Sequence, residues 1–277
     1  LTGPCGDGMV QSMVRKGKKR LKKRFFIPLL FFLPPIVLFF RAPVVVVTDR
    51  GFNALYGPQR PLQERFLATL RLFRPVYSVT LSETIPESLV PSAIQRALFS
   101  PLLPYCVVFS PVLRETAEVY GRQFPRVPVL IGEVKNRKED FYRAGRLAAQ
   151  VPHRPGESVV VLADSGLWEA YKGELVRGLQ EKQDFRSPVF IGSFKSPPAD
   201  LQPSCIIMAT PGGNYPNFGD KIPTILFSWI DPQLVPRNVV AIFDDSPWAL
   251  LVPLVQGLVQ KGSISPSSAL ILLHNGF

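Results

Sequence analysis

Val44-Val45-Val46-Val47-Thr48-Asp49-Arg50-Gly51-Phe52-Asn53-Ala54-Leu55-Tyr56 decides the fold class of this chain. Four consecutive valines leave no polar side for water, so Val44 to Thr48 reads as a parallel strand buried on both faces. A strand of that kind needs a crossover before its neighbour, and a helix is expected at 61–73. There Leu62, Phe66, Leu67, Leu70 and Phe73 fall at helical spacing and Pro61 suits a first turn. Strand 75–80, helix 86–99, strand 105–109, helix 111–123 and strand 127–131 continue the alternation.

A second series begins with a helix at 138–151, where Phe141, Ala144, Leu147, Ala148 and Val151 form one stripe. Strand 158–163, helix 166–182 and strand 188–192 follow. After a Pro-rich connection at 195–203 come strands 205–209, 223–227 and 239–243, a helix at 247–261 ending before Gly262, and a strand at 269–273. The fold class is therefore α/β: two Rossmann-like lobes with parallel sheets, 42–135 and 136–245, closed by a return helix and terminal strand over 246–277.

The whole chain carries a formal charge of +11, which invites a nucleic-acid reading until it is located. Residues 1–24 hold eight Lys or Arg against Asp7 alone, while residues 42–277 carry 23 basic and 20 acidic side chains. The domain itself is nearly balanced, so no nucleic-acid partner is expected. Behind the basic leader lies Phe25 to Phe40, sixteen residues without a charge or a hydrogen-bonding side chain. A positive segment before an apolar one is an export pattern, in which the basic cluster stays cytoplasmic. Residues 25–41 are expected to act as an uncleaved signal anchor, since no convincing cleavage site follows at Phe40-Arg41-Ala42-Pro43. The domain would then be extracytoplasmic, or periplasmic, anchored in the cytoplasmic membrane; removal of the signal would secrete it.

Two lobes behind an export signal suggest a binding protein, because ligands of parallel α/β sheets sit beyond the carboxyl ends of the strands. Asp49 offers a carboxylate, Phe52 an aromatic face and Asn53 a paired donor and acceptor. An equal alternative is an Asx-type turn with Phe52 tucked into the core. Trp168, after a second-lobe strand, and Trp229, after another, divide between ring stacking and burial in the same way. Asp244-Asp245 is expected chiefly to cap the helix near Ser246-Pro247. Cys106 and Cys205 each open an apolar run and read as small buried side chains, the other reading being a bridge between them. With only His153 and His274, and no G-x-S-x-G, H-E-x-x-H or G-x-x-x-x-G-K-[ST], the chain is expected not to be an enzyme, with no catalytic residue, metal or cofactor.

The stretch D-R-G-F-N-A-L-Y after the first strand resembles the first loop of the basic membrane protein family. These are nucleoside-binding proteins of the type I periplasmic-binding-protein fold, with a pattern close to D-x-x-F-N. Asp140 to Ala149 looks like the helix entering the second lobe of that fold. Ala209-Thr210-Pro211-Gly212-Gly213-Asn214 is similar to its Gly-rich loop, and Ser228 to Gln233 to the segment carrying a ligand-binding acid. The resemblance implies that Asp49 and Asn53 bind ribose or base, Phe52 stacks on the base and Asp231 holds ribose hydroxyls. Asn214 joins the candidate site with the Gly-rich loop. It further implies a solute-binding protein of an ABC-type importer with a permease partner. Two departures stand out: Trp229-Ile230-Asp231 replaces the family's Gly-Val-Asp, and Asp244 stands where a basic residue is usual. They raise the alternative of a membrane-tethered sensor or interaction domain of the same fold.

Overall fold

The computed structural model describes residues 37–38, 40–57, 59–82, 86–98, 102–182, 187–192, 201–209, 221–260 and 266–273. The signal anchor expected over 25–41, apart from its last residues, and Asn214 lie outside this description.

The first unit runs β1 (Val44–Asp49), α1 (Arg50–Tyr56), α2 (Arg60–Leu72), β2 (Val76–Leu81), α3 (Val90–Ala97), β3 (Cys106–Phe109), α4 (Arg114–Gln123) and β4 (Val129–Ile131). Its four strands pair in parallel in the order β2-β1-β3-β4. The valine run occupies an inner strand, and the period-two geometry sends its side chains to opposite faces. Val45 and Val47 join Ile94, Phe109, Ala117 and Tyr120 under α3 and α4. Val44 and Val46 join Phe52, Tyr56, Ala68 and Trp248 on the other face. All four valines are 0 % exposed, and burying each side chain is worth about 1.5–3 kcal/mol.

Two local features differ from the sequence expectation. The segment after β1 is a seven-residue helix rather than a loop. Asp49 makes this possible: its Oδ1 accepts the Phe52 backbone N–H at 2.8 Å, capping a helix whose Gly51 and Asn53 are poor formers. Gly57, at φ +88°, ends it. The second difference is the orientation of α2. Its apolar stripe turns away from the sheet, and the inward side is held by Ala68 with the half-buried Arg60 and Glu64.

The second unit contains α5 (Lys138–Gln150), β5 (Ser158–Ala163), α6 (Ser165–Leu179), β6 (Val189–Gly192), β7 (Pro203–Ala209), β8 (Thr224–Phe227), β9 (Val239–Asp244), α7 (Pro247–Gln260) and β10 (Ala269–Leu272). Its sheet order is β10-β9-β8-β7-β5-β6, parallel except where β10 runs against β9. Phe141, Ala144 and Ala148 of α5 and Leu175 and Leu179 of α6 cover one face. These helices cross almost backbone to backbone. A Cβ on Gly145 would stand 2.3 Å from the Leu175 carbonyl oxygen, and one on Gly178 would stand 2.2 Å from that of Tyr142. Cys106 and Cys205 are buried free thiols in different sheets, which settles the alternative of a bridge between them. Burial pushes the Cys106 thiol up to about 12.

The chain passes between the two sheets three times. It leaves β4 for α5, which packs on the second sheet, and leaves β9 for α7, whose Trp248, Leu251 and Val255 pack on the first. It then returns from α7 to β10. The passages are tied together: Arg137 reaches Asp245 at 2.5 Å, and Asp140, completely buried, accepts Ser268 N–H at 3.0 Å and Ser268 Oγ–H at 2.7 Å. Gly132 lies so close to Pro247 that a Cβ there would meet its Cα at 2.7 Å.

Candidate functional site

The carboxyl end of β1 meets the segment after β8. Phe52 is 4 % exposed, stacked on Tyr56 with ring centroids 5.0 Å apart and touching Trp229 of the second unit at 4.8 Å. Stacking on Tyr56 follows from helix geometry, since i and i+4 share a face. Trp229 remains half-buried. Next to it, the Asp231 backbone N–H donates to the Leu55 carbonyl at 2.9 Å, and a Cβ on Gly57 would lie 2.1 Å from Asp231 Oδ2. Glycine at 57 is therefore required twice, by its positive φ and by the approach of the second unit.

The polar candidates already have partners. Asp49 Oδ2 accepts Ser110 Oγ–H at 3.3 Å from the end of β3, in addition to the capping bond of its other oxygen. Asn53 accepts Thr48 Oγ1–H at 3.1 Å and donates to Thr80 Oγ1 at 2.6 Å, so it links β1, α1 and β2. Asp231 Oδ1 accepts the Gln233 N–H at 2.9 Å, forming an Asx turn. Asp49, Phe52, Asn53, Trp229 and Asp231 are thus gathered around α1. Trp168 is not with them: it stacks on Phe190 at 5.1 Å and 11° against the second unit's own core.

Several contacts at this junction escaped the sequence reading. Arg60, at the start of α2, pairs with Asp244 Oδ2 at 2.6 Å, donates to the Ile230 carbonyl at 3.4 Å, and lies 4.1 Å over the Tyr56 ring. Asp244 Oδ1 accepts the Ser246 N–H at 2.9 Å. Ser246 Oγ in turn accepts the Ala249 N–H, so the cap of α7 is Ser246 rather than the preceding aspartates. Ser246 Oγ also stands 3.4 Å from the Tyr56 hydroxyl. Burial raises the Asp244 carboxyl above the usual range, with Arg60 opposing. Burial and the Asp244 charge raise the Tyr56 hydroxyl and Glu64. The only signal in the sequence was an arginine before Pro61, whose partner lies 184 positions away.

Among the described residues no cluster of His, Cys, Asp or Glu is arranged to hold a metal ion, and no helix is long and apolar enough to cross a membrane. Searches against protein-family models, curated proteins and solved structures return no match to this chain.

Proposed function

We propose that this chain is an extracytoplasmic solute-binding protein, anchored at the membrane by its N-terminal segment, that takes a nucleoside or similar small polar ring between its two α/β units. The observation that carries this reading is the Phe52–Trp229 contact, an aromatic pair contributed by opposite units beyond the carboxyl ends of their strands. A planar ring inserted there would replace one aromatic neighbour with another. Asp49 and Asn53 would supply hydrogen bonds from the first unit and Asp231 from the second. The three passages between the sheets provide the hinge, and closure would present the solute to an importer's permease. The resemblance of the sequence at Asp49, Phe52 and Asn53 to the first-loop pattern of the basic membrane protein family agrees with the same reading. Thermal unfolding of the full chain in detergent with purine and pyrimidine nucleosides at millimolar concentration tests it, and a ligand that binds raises the midpoint.

One observation favours a second reading. Phe52 is buried, with Tyr56 and Trp229 against it. In a tethered sensor or interaction domain, that packing would be permanent and would fix the two units in one relationship. No nucleoside or sugar would then shift the midpoint.

A further inference from the structure

The outward face of α2 carries more exposed large apolar side chains than any other helix among the described residues. Leu62 is 59 % exposed, Phe66 63 % and Leu70 58 %, and they follow one another at four-residue steps along one side of the helix. Phe73, 46 % exposed, continues the line at the left-handed C-cap. A surface helix ordinarily buries such a stripe and shows water its charges. This helix does the reverse, with Arg60 turned inward to Asp244.

Two observations bear on what the face meets. The first is continuity with the N-terminal apolar run. Arg41, the residue at which that run ends, donates from Nη1 to the Phe73 carbonyl at 3.3 Å and holds its guanidinium 5.0 Å over the Phe73 ring. Phe40, immediately before it, is 72 % exposed. The stripe therefore begins where the chain leaves the expected anchor. The second is charge. Arg41 and Arg71 are exposed, and Arg65 is half-buried on the same helix. The one acid of α2, Glu64, is half-buried and sits close enough to Asp244, Arg60 and Arg71 to feel all three, so it offsets only part of the arginine charge. Phenylalanine and leucine rimmed by arginine suit the boundary between acyl chains and anionic headgroups. A two-fold contact between copies through this face would set the arginine rims against each other.

We propose that the Leu62–Phe66–Leu70–Phe73 face, with Arg41 and Arg71 at its rim, rests on an anionic phospholipid surface and fixes the orientation of the domain on its membrane. This rests on the anchoring part of the proposed function and is independent of the ligand. Tethering by the N-terminal segment holds the face near the bilayer, so a weak interfacial affinity suffices.

The test uses the full chain carrying Phe66→Trp, reconstituted into vesicles of phosphatidylethanolamine and phosphatidylglycerol with or without brominated acyl chains. Wild-type protein gives the background of Trp168, Trp229 and Trp248. Bromine is expected to lower the added indole emission about twofold or more, as contact with the acyl boundary requires. Adding Leu62→Glu and Leu70→Glu should abolish that quenching without moving the thermal midpoint, because both positions are exposed. Emission equal in both vesicles, from protein that still co-floats with lipid, overturns the proposal and leaves the anchor standing. Unquenched emission that shifts to the blue with rising protein concentration overturns it in favour of a second copy. Protein that fails to co-float overturns the anchor and this placement together.

Discussion

The guanidinium of Arg60 and the carboxylate of Asp244 meet at 2.6 Å, joining the first turn of α2 to the last residue of β9 in the other unit. Their side chains are 16 % and 3 % exposed, so each is the other's main compensation for lost water. Removing one partner leaves a buried charge alone. Arg60→Met is expected to destabilise the chain by about 3–5 kcal/mol, whereas Arg60→Met with Asp244→Leu should recover most of that loss. Urea unfolding followed by tryptophan fluorescence measures both.

The crossing of α5 and α6 depends on having no side chain at two positions. Alanine at Gly178 would push its Cβ against the Tyr142 carbonyl, and at Gly145 against that of Leu175. Backbone atoms cannot rotate aside as a flexible side chain can. Either substitution should cost about 1–3 kcal/mol by forcing the helices apart, and the pair should be non-additive because they share one contact. Gly173→Ala, where a Cβ meets nothing within 4 Å, is the control and should leave the unfolding midpoint unchanged or raised.

The stability contributed by Asp140 and Asp244 should fall as pH rises above about 4, the range of unperturbed aspartate. Burial raises the Asp140 carboxyl above its ordinary value despite the Ser268 bonds and Arg137, and raises Asp244 despite Arg60. An acid whose pKa is higher folded than unfolded binds more protons in the folded state throughout the interval between the two values. The stability it confers is thus complete below the unfolded pKa and lost as pH climbs through the folded one. Asp140→Asn, which keeps an acceptor for Ser268, should flatten part of this slope in a series of thermal midpoints against pH.

The alternation of strands and helices was legible because β1, β3 and β9 are continuous apolar runs that only a two-faced buried strand accommodates. What periodicity does not carry is direction. The Leu62, Phe66 and Leu70 spacing announces α2 correctly, yet its stripe faces outward, because Arg60 and Glu64 take the inward side beside Asp244. The helix α1 was hidden because Gly51 and Asn53 weaken it and a single capping bond from Asp49 sustains it. The Asx-type role considered for Asp49 agrees with that bond, and Phe52 is buried as the same reading had it. At the site, Asp49, Phe52 and Asn53 were visible as a local motif. The contacts that Tyr56, Arg60, Asp244 and Ser246 make there were not, since they depend on the second unit folding against the first. Trp168 could be placed after a strand but not assigned to its stacking partner Phe190, which lies on β6.

Nucleoside binding between the two units is tested most directly by a calorimetric titration of the full chain, carried out on wild type, Asp49→Asn and Trp229→Ala. Asparagine keeps the α1 cap, so Asp49→Asn separates the loss of a ligand-facing charge from unfolding. Wild type should bind saturably and one-to-one, weakened about tenfold or more in each variant, as loss of a charged hydrogen bond or a stacked ring would require. No heat from any nucleoside at millimolar concentration, or binding unchanged in both variants, would contradict it.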